Sequence, residues 1–89
     1  MKTVFIRVTG KVQGVFYRKS AKDAARVLGV TGWVRNEDDG SVSIEASGTP
    51  DAIAKLIEWC RQGSPRAVVT DVKAEDLPYR EHAQFISER

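Results

Sequence analysis

Alternation of hydrophobic and polar residues predicts four β-strands along the chain. The first covers residues 2–9 and puts three apolar side chains on one face: Val4, Ile6 and Val8. Residues 31–36 and Ser41–Ser47 are predicted to be the second and third strands, and the turn residues Asp38-Asp39-Gly40 between them indicate a β-hairpin. The fourth strand is predicted over residues 67–75, around three valines: Val68, Val69 and Val72.

Two other segments have the apolar spacing of an amphipathic helix, i, i+3, i+4, i+7. The first helix is predicted from Arg18 to a cap at Gly29, with an apolar face of Ala21, Ala24, Ala25 and Leu28. The second starts at Thr49-Pro50-Asp51, an N-cap residue followed by proline at the first helical position, and ends at Gly63. Its apolar face consists of Ile53, Leu56, Ile57 and Cys60.

The order of these elements, β-α-β-β-α-β, predicts an α+β fold. Two βαβ crossovers that share a hairpin give the ferredoxin-like, split βαβ two-layer sandwich. We expect two helices on one face of a mostly antiparallel sheet. A short apolar segment at Ala83–Ile86, after a break at Leu77-Pro78, is a candidate fifth strand. A chain of 89 residues suffices for one small domain, so residues 1–89 are predicted to form a single domain.

Composition narrows the classes of function. Hydrophobic residues make up 42% and charged residues 29%, as in ordinary globular proteins. The formal net charge of +2 is too small to predict nucleic-acid binding. The single cysteine, Cys60, excludes an internal disulfide framework, and the single histidine, His82, excludes histidine-rich metal chemistry. We therefore expect no metal site.

The sequence pattern predicts neither a transmembrane helix nor a signal peptide. No apolar run approaches the ~20 residues of a transmembrane helix. The N-terminal segment MKTVFIRVTG has Arg7 inside its apolar stretch and no small-residue cleavage site, so we interpret it as a strand and not as a signal peptide. The expectation is a soluble cytoplasmic protein with no membrane partner. Nothing in the sequence requires an oligomer, so we expect a monomer.

The segment Gly10–Arg18 is the main candidate for chemistry, because it links the first strand to the start of the first helix. A helix N-terminus presents unpaired N–H groups, and a glycine-containing turn before it can aim more of them at an anion. Arg18 adds a planar cation that can hold two phosphate oxygens. The segment has neither a Walker A nor a GxGxxG pattern. The alternative is a plain β–α connection with a solvated Arg18.

Asn36 is the only asparagine in the chain and stands at the end of the second predicted strand. Asparagine is common beside turns, so one interpretation is a turn-stabilising residue. A functional interpretation requires Asn36 to lie near Arg18, and periodicity alone leaves this open.

Two long motifs resemble the signatures of the acylphosphatase family. The first is the run from Val8 to Arg18, VTGKVQGVFYR. The second is Gly32-Trp33-Val34-Arg35-Asn36, followed at intervals by Gly40, Val42 and Gly48. The segment Gly63-Ser64-Pro65, with Ala67 and Val69, is also similar to the family. One departure is Tyr17, where the family more often has Phe or Met, and its hydroxyl needs a partner.

The resemblance implies hydrolysis of an acyl phosphate to a carboxylate and inorganic phosphate, with no cofactor. It implies that Arg18 binds the substrate phosphate and that Asn36 orients the attacking water. The loop from Gln13 through Gly14, Val15, Phe16 and Tyr17 to Arg18 would supply backbone donors. Inorganic phosphate, the product, would then inhibit.

Other interpretations concern the remaining reactive and aromatic residues. Asp38-Asp39 is expected to form a turn and not a Mg²⁺ site, His82 to be exposed and Cys60 to lie in the core. Trp33, Phe16 and Tyr17 are expected to pack around the loop and not to stack on nucleic-acid bases. Arg7 and Arg35 either add positive charge to the site or are simply outward strand residues.

Two other functions remain as alternatives to an enzyme of this kind. One is a non-catalytic module that binds acyl phosphates or other anions. The other is an acylphosphatase-like domain of a larger carbamoyl-transfer protein, which would require cysteine-rich zinc modules after Arg89.

Overall fold

The computed structural model describes residues 1–88, which form five strands and two helices. In chain order these are β1 (Lys2–Lys11), α1 (Tyr17–Leu28), β2 (Thr31–Asn36), β3 (Val42–Gly48), α2 (Pro50–Gln62), β4 (Val68–Leu77) and β5 (Phe85–Ser87). The sheet has the order β4-β1-β3-β2-β5, with β5 parallel to β2 and the other neighbours antiparallel. The predicted split βαβ fold is confirmed, and the candidate fifth strand exists, shifted to residues 85–87.

The core lies between the helices and one face of the sheet, as the apolar periodicity predicts. Val4, Ile6 and Val8 of β1 are buried there in one hydrophobic cluster with apolar residues of both helices; α2 packs on β1, and α1 packs on β2 and β5. The small residues Ala21 and Ala25 are the fully buried alanines of α1. Neither helix of the described residues is long and apolar enough to cross a membrane.

Helix α2 begins and ends where its sequence signals predict. The Thr49 hydroxyl accepts a hydrogen bond from the Ala52 backbone N–H at 3.2 Å, and Pro50 occupies the first turn. At the other end, the Gly63 N–H donates to the Trp59 carbonyl oxygen at 2.8 Å. Local capping signals in the sequence therefore set both ends of α2.

Strand β1 is longer than predicted, and the loop after it is correspondingly shorter. The sequence pattern ends the strand at residue 9, whereas pairing with β4 continues to Lys11 through a register shift between Thr9 and Gly10. Gly10 has φ 126°, and a Cβ there would lie 2.1 Å from the Val68 carbonyl oxygen. Glycine is needed because β4 approaches so closely. Helix α1 starts at Tyr17, so only residues 12–16 lie between the two elements.

Strand β4 covers Val68–Leu77, not residues 67–75. Val69 and Val72 pack against the core, whereas Val68 is 58% exposed. A run of adjacent apolar residues does not reveal which of them faces the core in a strand with a register shift.

The segment between β4 and β5 crosses the sheet face opposite the helices. The Arg80 backbone N–H donates to the Thr3 hydroxyl at 2.8 Å, and the Arg80 carbonyl accepts from the Ser47 hydroxyl at 2.7 Å. Beneath this crossing segment lies Glu45, whose side chain is only 5% exposed. Its two carboxylate oxygens contact Arg80 Nη1 and His82 Nε2, each at 2.9 Å. The expectation that His82 is solvent-exposed is therefore wrong.

Candidate active site

A cavity of about 340 Å³ opens where the β1–α1 loop, the first turns of α1 and the end of β2 meet. It brings together Arg18 and Asn36, whose relative position the sequence pattern left undecided. Lys19 and Lys22, which the sequence analysis did not single out, also line it. The other lining residues are Val12, Gly14, Phe16, Tyr17 and Ser87.

The loop backbone turns sharply before α1. Gly14 has a left-handed backbone with φ 73°, which glycine adopts readily. A Cβ at this position would meet no atom within 4 Å, so the backbone conformation and not a lack of space favours glycine. Phe16, the N-cap residue of α1, is also left-handed, with φ 62° and ψ 22°, and its side chain makes no capping hydrogen bond. The N–H groups of the first helical turn lack intrahelical partners. At the positive end of the helix dipole, such groups suit an anion such as phosphate.

Two anchors hold the loop although their own side chains do not line the cavity. The Gln13 side-chain amide donates to the carbonyl oxygens of Glu37 and Ser41, at 2.8 and 2.9 Å. The carbonyl oxygen of buried Val15 accepts a hydrogen bond from the Ser64 hydroxyl at 2.7 Å. Gln13 thus ties the loop to the hairpin beside Asn36, and Ser64 ties it to the segment after α2.

Tyr17 is buried below the loop, and its hydroxyl has a partner. The hydroxyl donates to the Cys60 carbonyl oxygen at 2.9 Å, and the ring packs on Trp59 with 5.3 Å between centroids. A Cβ at Gly63 would lie 2.7 Å from the Tyr17 ring. Glycine at position 63 therefore leaves room for the aromatic ring. This explains the glycine in the segment Gly63-Ser64-Pro65.

Burial also controls the ionisation of two groups below the loop. Desolvation raises the pKa of the Tyr17 hydroxyl far above its ordinary value. The same effect raises the pKa of the Cys60 thiol to about 12, and the residue lies in the core as expected. Neither group is ionised near neutral pH, so neither supplies a nucleophile to the cavity.

Arg18 is oriented by the end of β5. Its Nη1 donates to the Glu88 carbonyl oxygen, and the Glu88 N–H donates to the Val34 carbonyl oxygen at 2.8 Å. The contact depends on the parallel pairing of β5 with β2. Sequence reasoning missed Ser87 and Glu88 because no local pattern shows where a three-residue strand pairs.

Asn36 is the last residue of β2 and is paired with Val42 across the hairpin. Its Oδ1 atom is buried, and no described residue provides it with a hydrogen-bond donor. Buried polar atoms are almost always satisfied, so this oxygen calls for a donor from water or from a ligand in the cavity.

Arg7 and Arg35, which the sequence analysis considered as extra positive charge for the site, belong to the outer sheet face and not to the described cavity lining. Arg7 contacts Asp39, while Arg35 lies 2.9 Å from Glu37 and stacks at 4.5 Å over the Trp33 ring. The side-chain hydrogen bond between Arg35 and Glu37 raises the pKa of Arg35 and lowers that of Glu37. Both arginines are therefore outward strand residues engaged by the hairpin.

Asp39 forms the hairpin turn, as the sequence predicts. It accepts hydrogen bonds from the Ser41 hydroxyl and backbone N–H at 2.6 and 2.9 Å, which lower the pKa of Asp39 and fix the turn.

The side chain of Phe16 is 72% exposed, so the expectation that it packs around the loop is wrong. The left-handed backbone at Phe16 turns its side chain outward.

Comparison with known proteins identifies the family. The acylphosphatase family profile matches residues 4–86. An acylphosphatase from Marinobacter nauticus is 56% identical over 71 residues, which make up 80% of this chain and 77% of that protein. A solved acylphosphatase structure from Coxiella burnetii superimposes with a TM-score of 0.95 and 38% identity, covering 98% of this chain and 92% of the other. The Bacillus subtilis acylphosphatase structure gives 0.96 and 36%, with 100% of both chains covered. By profile, sequence and structure alike, the chain belongs to the acylphosphatase family.

Proposed function

We propose that this acylphosphatase hydrolyses the carboxyl–phosphate anhydride bond of an acyl phosphate in the cavity at the start of α1. Arg18 and the backbone N–H groups of residues 13–18 bind the phosphoryl group, and Asn36 orients the attacking water. One observation carries the proposal: a permanent cation, the open end of a helix and Asn36, whose buried amide oxygen has no donor within residues 1–88, converge on one cavity.

The phosphoryl group is the part of the substrate that these residues fit. Phosphoryl transfer proceeds through a loose transition state, so catalysis consists mainly of positioning and charge stabilisation. The Arg18 guanidinium and the loop N–H groups neutralise the equatorial oxygens. Because Gln13 and Ser64 fix the loop before substrate arrives, these donors need little reorganisation during the reaction.

Asn36 supplies the direction of attack. Its Oδ1 accepts a hydrogen bond from a water molecule, which leaves a water lone pair aimed at phosphorus in line with the leaving carboxylate. Asn36 does not need to remove the water proton, since a loose transition state makes little demand on the nucleophile. The phosphoryl oxygens accept that proton late in the reaction.

The leaving group needs no acid catalyst. A carboxylic acid has a pKa near ~4, so the departing carboxylate is stable as an anion at neutral pH. We propose that the reaction also needs no metal ion and no cofactor. The charge that a metal would neutralise is met by Arg18 and the helix N-terminus, and the described residues contain no group of three or more His, Cys, Asp or Glu placed to hold an ion.

A hydrolysis assay tests the proposal. The purified protein should release phosphate from benzoyl phosphate, retain that activity in EDTA and be inhibited competitively by inorganic phosphate. Phenyl phosphate is the matched control, because its phenolate leaves much less readily than a carboxylate. Failure to cleave benzoyl phosphate, or equal cleavage of both compounds, would contradict the proposed reaction.

We further propose that the enzyme works as a cytoplasmic monomer whose only partners are the acyl phosphate and its products, with no nucleic acid or membrane surface involved. The cavity is formed by residues of one chain, which supports the monomer. Size-exclusion chromatography with light scattering tests it, and a dimer mass at assay concentrations would contradict it.

A further inference from the structure

The first two turns of α1 carry a charge pattern that opposes helix stability. The first turn has no acidic residue, and the N-cap residue, Phe16, provides no side-chain hydrogen bond. Three cations, Arg18, Lys19 and Lys22, lie near the positive end of the helix dipole, where negative charge is favoured. Helix α2 follows the opposite rule, with a capping threonine and an acidic first turn. The helix dipole therefore does not explain why these three cations lie at the start of α1.

Two of the three cations have partners. Arg18 donates to the Glu88 carbonyl and, under the proposed function, binds the phosphoryl group. Lys19 forms an ion pair with Asp23 at 3.0 Å, one turn further along the helix. Lys22 is half-buried and lines the cavity, yet within residues 1–88 no carboxylate lies at ion-pair distance from it.

Lys22 also has the right position relative to Arg18. The two residues are four apart on α1, so their side chains are neighbours on one helix face. Like charges in this arrangement repel each other, and an anion between or beside them relieves the repulsion. Lys22 lines the same 340 Å³ cavity as Arg18, so it faces the part of a bound substrate that lies outside the phosphoryl group.

We propose that Lys22 is a specificity-determining residue that favours acyl phosphates whose acyl portion carries a negative charge of its own. The inference rests on the proposed function, because it concerns the non-phosphate half of the same substrate. The Lys22 ammonium pairs with a carboxylate or similar anion on the acyl group, while the exposed ring of Phe16 offers an apolar surface at the cavity.

Matched substrates isolate this contact. Benzoyl phosphate has a neutral acyl group, and its 3- and 4-carboxy derivatives add one negative charge while keeping the ring and the anhydride. The measured quantity is the ratio of kcat/KM for each carboxylated substrate to kcat/KM for benzoyl phosphate. K22Q should lower this ratio about fivefold for at least one derivative, as expected for loss of a partly exposed ion pair. K22E should lower it further.

A control variant and a salt series distinguish a contact from general electrostatics. Lys55 lies on α2 and is paired with Asp51. The variant K55Q removes the same single charge as K22Q. K55Q should leave the ratio within about twofold of wild type, and the K22Q effect should shrink at high ionic strength. Equal loss toward all substrates in K22Q, or the same ratio in K22Q and wild type, overturns the role of Lys22. If wild type does not cleave benzoyl phosphate at all, the proposed function fails instead.

Discussion

The Arg18 side chain contacts the Glu88 carbonyl oxygen and also lines the cavity. One guanidinium nitrogen is engaged by the Glu88 carbonyl, which fixes the direction of the group, and the rest of the fork is left for the cavity. A lysine at this position keeps the charge but has a flexible stem and no fork. The difference between the two cations is therefore one of geometry, and it can be measured.

The variant R18K should weaken inorganic phosphate binding about 10²-fold, or ~3 kcal/mol, because it loses the bidentate charge-assisted pair that we propose Arg18 forms with phosphate. Competitive inhibition by phosphate measures this affinity, and circular dichroism checks the fold. R61K, on the exposed side of α2, serves as a control and should bind phosphate as wild type does. Unchanged phosphate inhibition in R18K would remove Arg18 from the binding site.

The variant N36A should lower kcat about 10²-fold and leave the phosphate inhibition constant within about twofold. The reason is that, under the proposed function, Asn36 positions water in the transition state, whereas Arg18 and the loop bind phosphate. Steady-state kinetics with benzoyl phosphate and phosphate titration separate the two effects. Wild-type turnover in a folded N36A variant would show that another group orients the water.

Among individual residues, those with a local signal were predictable and those with a distant partner were not. Val4, Ile6 and Val8 follow the two-residue period and are buried as predicted. Glu45 and His82 lie 37 positions apart, and their contact depends on a segment that crosses the outer sheet face. No period or propensity encodes such a crossing, which is why His82 was expected to be exposed.

Among the elements, the β1–α1 loop concentrates backbone strain next to the chemistry. Phe16 is a bulky residue in the left-handed region, and its side chain is 72% exposed, so little packing compensates for the strain. The position is better suited to asparagine, which tolerates this conformation. An unfavourable residue thus stands at the N-cap of α1, and its side chain makes no capping hydrogen bond.

The variant F16N should raise the free energy of unfolding by ~1 kcal/mol, because asparagine relieves the backbone strain and little buried apolar area is lost. F16V, with a β-branched side chain at the same φ, should lower it by a similar amount. Urea denaturation at neutral pH measures both. Equal stability of F16N and F16V would mean that the backbone at position 16 is not strained in solution.

Element positions were predictable where the signals are local. The helix start at Thr49-Pro50-Asp51 and the end at Gly63 follow from capping chemistry alone. The family resemblance gave the loop and Asn36 their expected roles, but their convergence on one cavity needed the three-dimensional structure. The continuation of β1 to Lys11 was not predictable, because a glycine commonly marks the end of a strand. Here Gly10 instead permits the close approach of β4.

For the whole molecule, the buried Cys60 thiol and Tyr17 hydroxyl make the free energy of unfolding depend on pH in the alkaline range. The Cys60 thiol has an ordinary pKa of 9.0, and burial raises it to about 12 in the folded state. Burial also raises the pKa of Tyr17. Between pH 9 and 12 the unfolded chain releases the thiol proton while the folded chain keeps it. The unfolded state therefore binds fewer protons, and stability falls as pH rises.

The free energy of unfolding should accordingly decrease by ~1 kcal/mol per pH unit once the thiol of the unfolded chain ionises above about pH 9. Urea titrations at pH 8, 9 and 10 measure the slope. C60A removes the thiol, so its slope between pH 9 and 10 should be clearly shallower, although the variant is less stable at pH 8 because its core contains a small void. Identical slopes would exclude Cys60 as the titrating group.

The central position of β1 in the sheet also affects the speed of folding. The two neighbours of β1 in the sheet are β3 and β4. The residues that pair between β1 and β4 are more than half the chain apart, from Thr3 with Leu77 to Lys11 with Val68. Such contacts form only after a long loop has closed, so refolding is expected on the millisecond-to-second scale typical of non-local β pairing. Until β4 arrives, β1 has an open edge with unpaired backbone groups, and newly diluted chains at high concentration can pair there with one another instead.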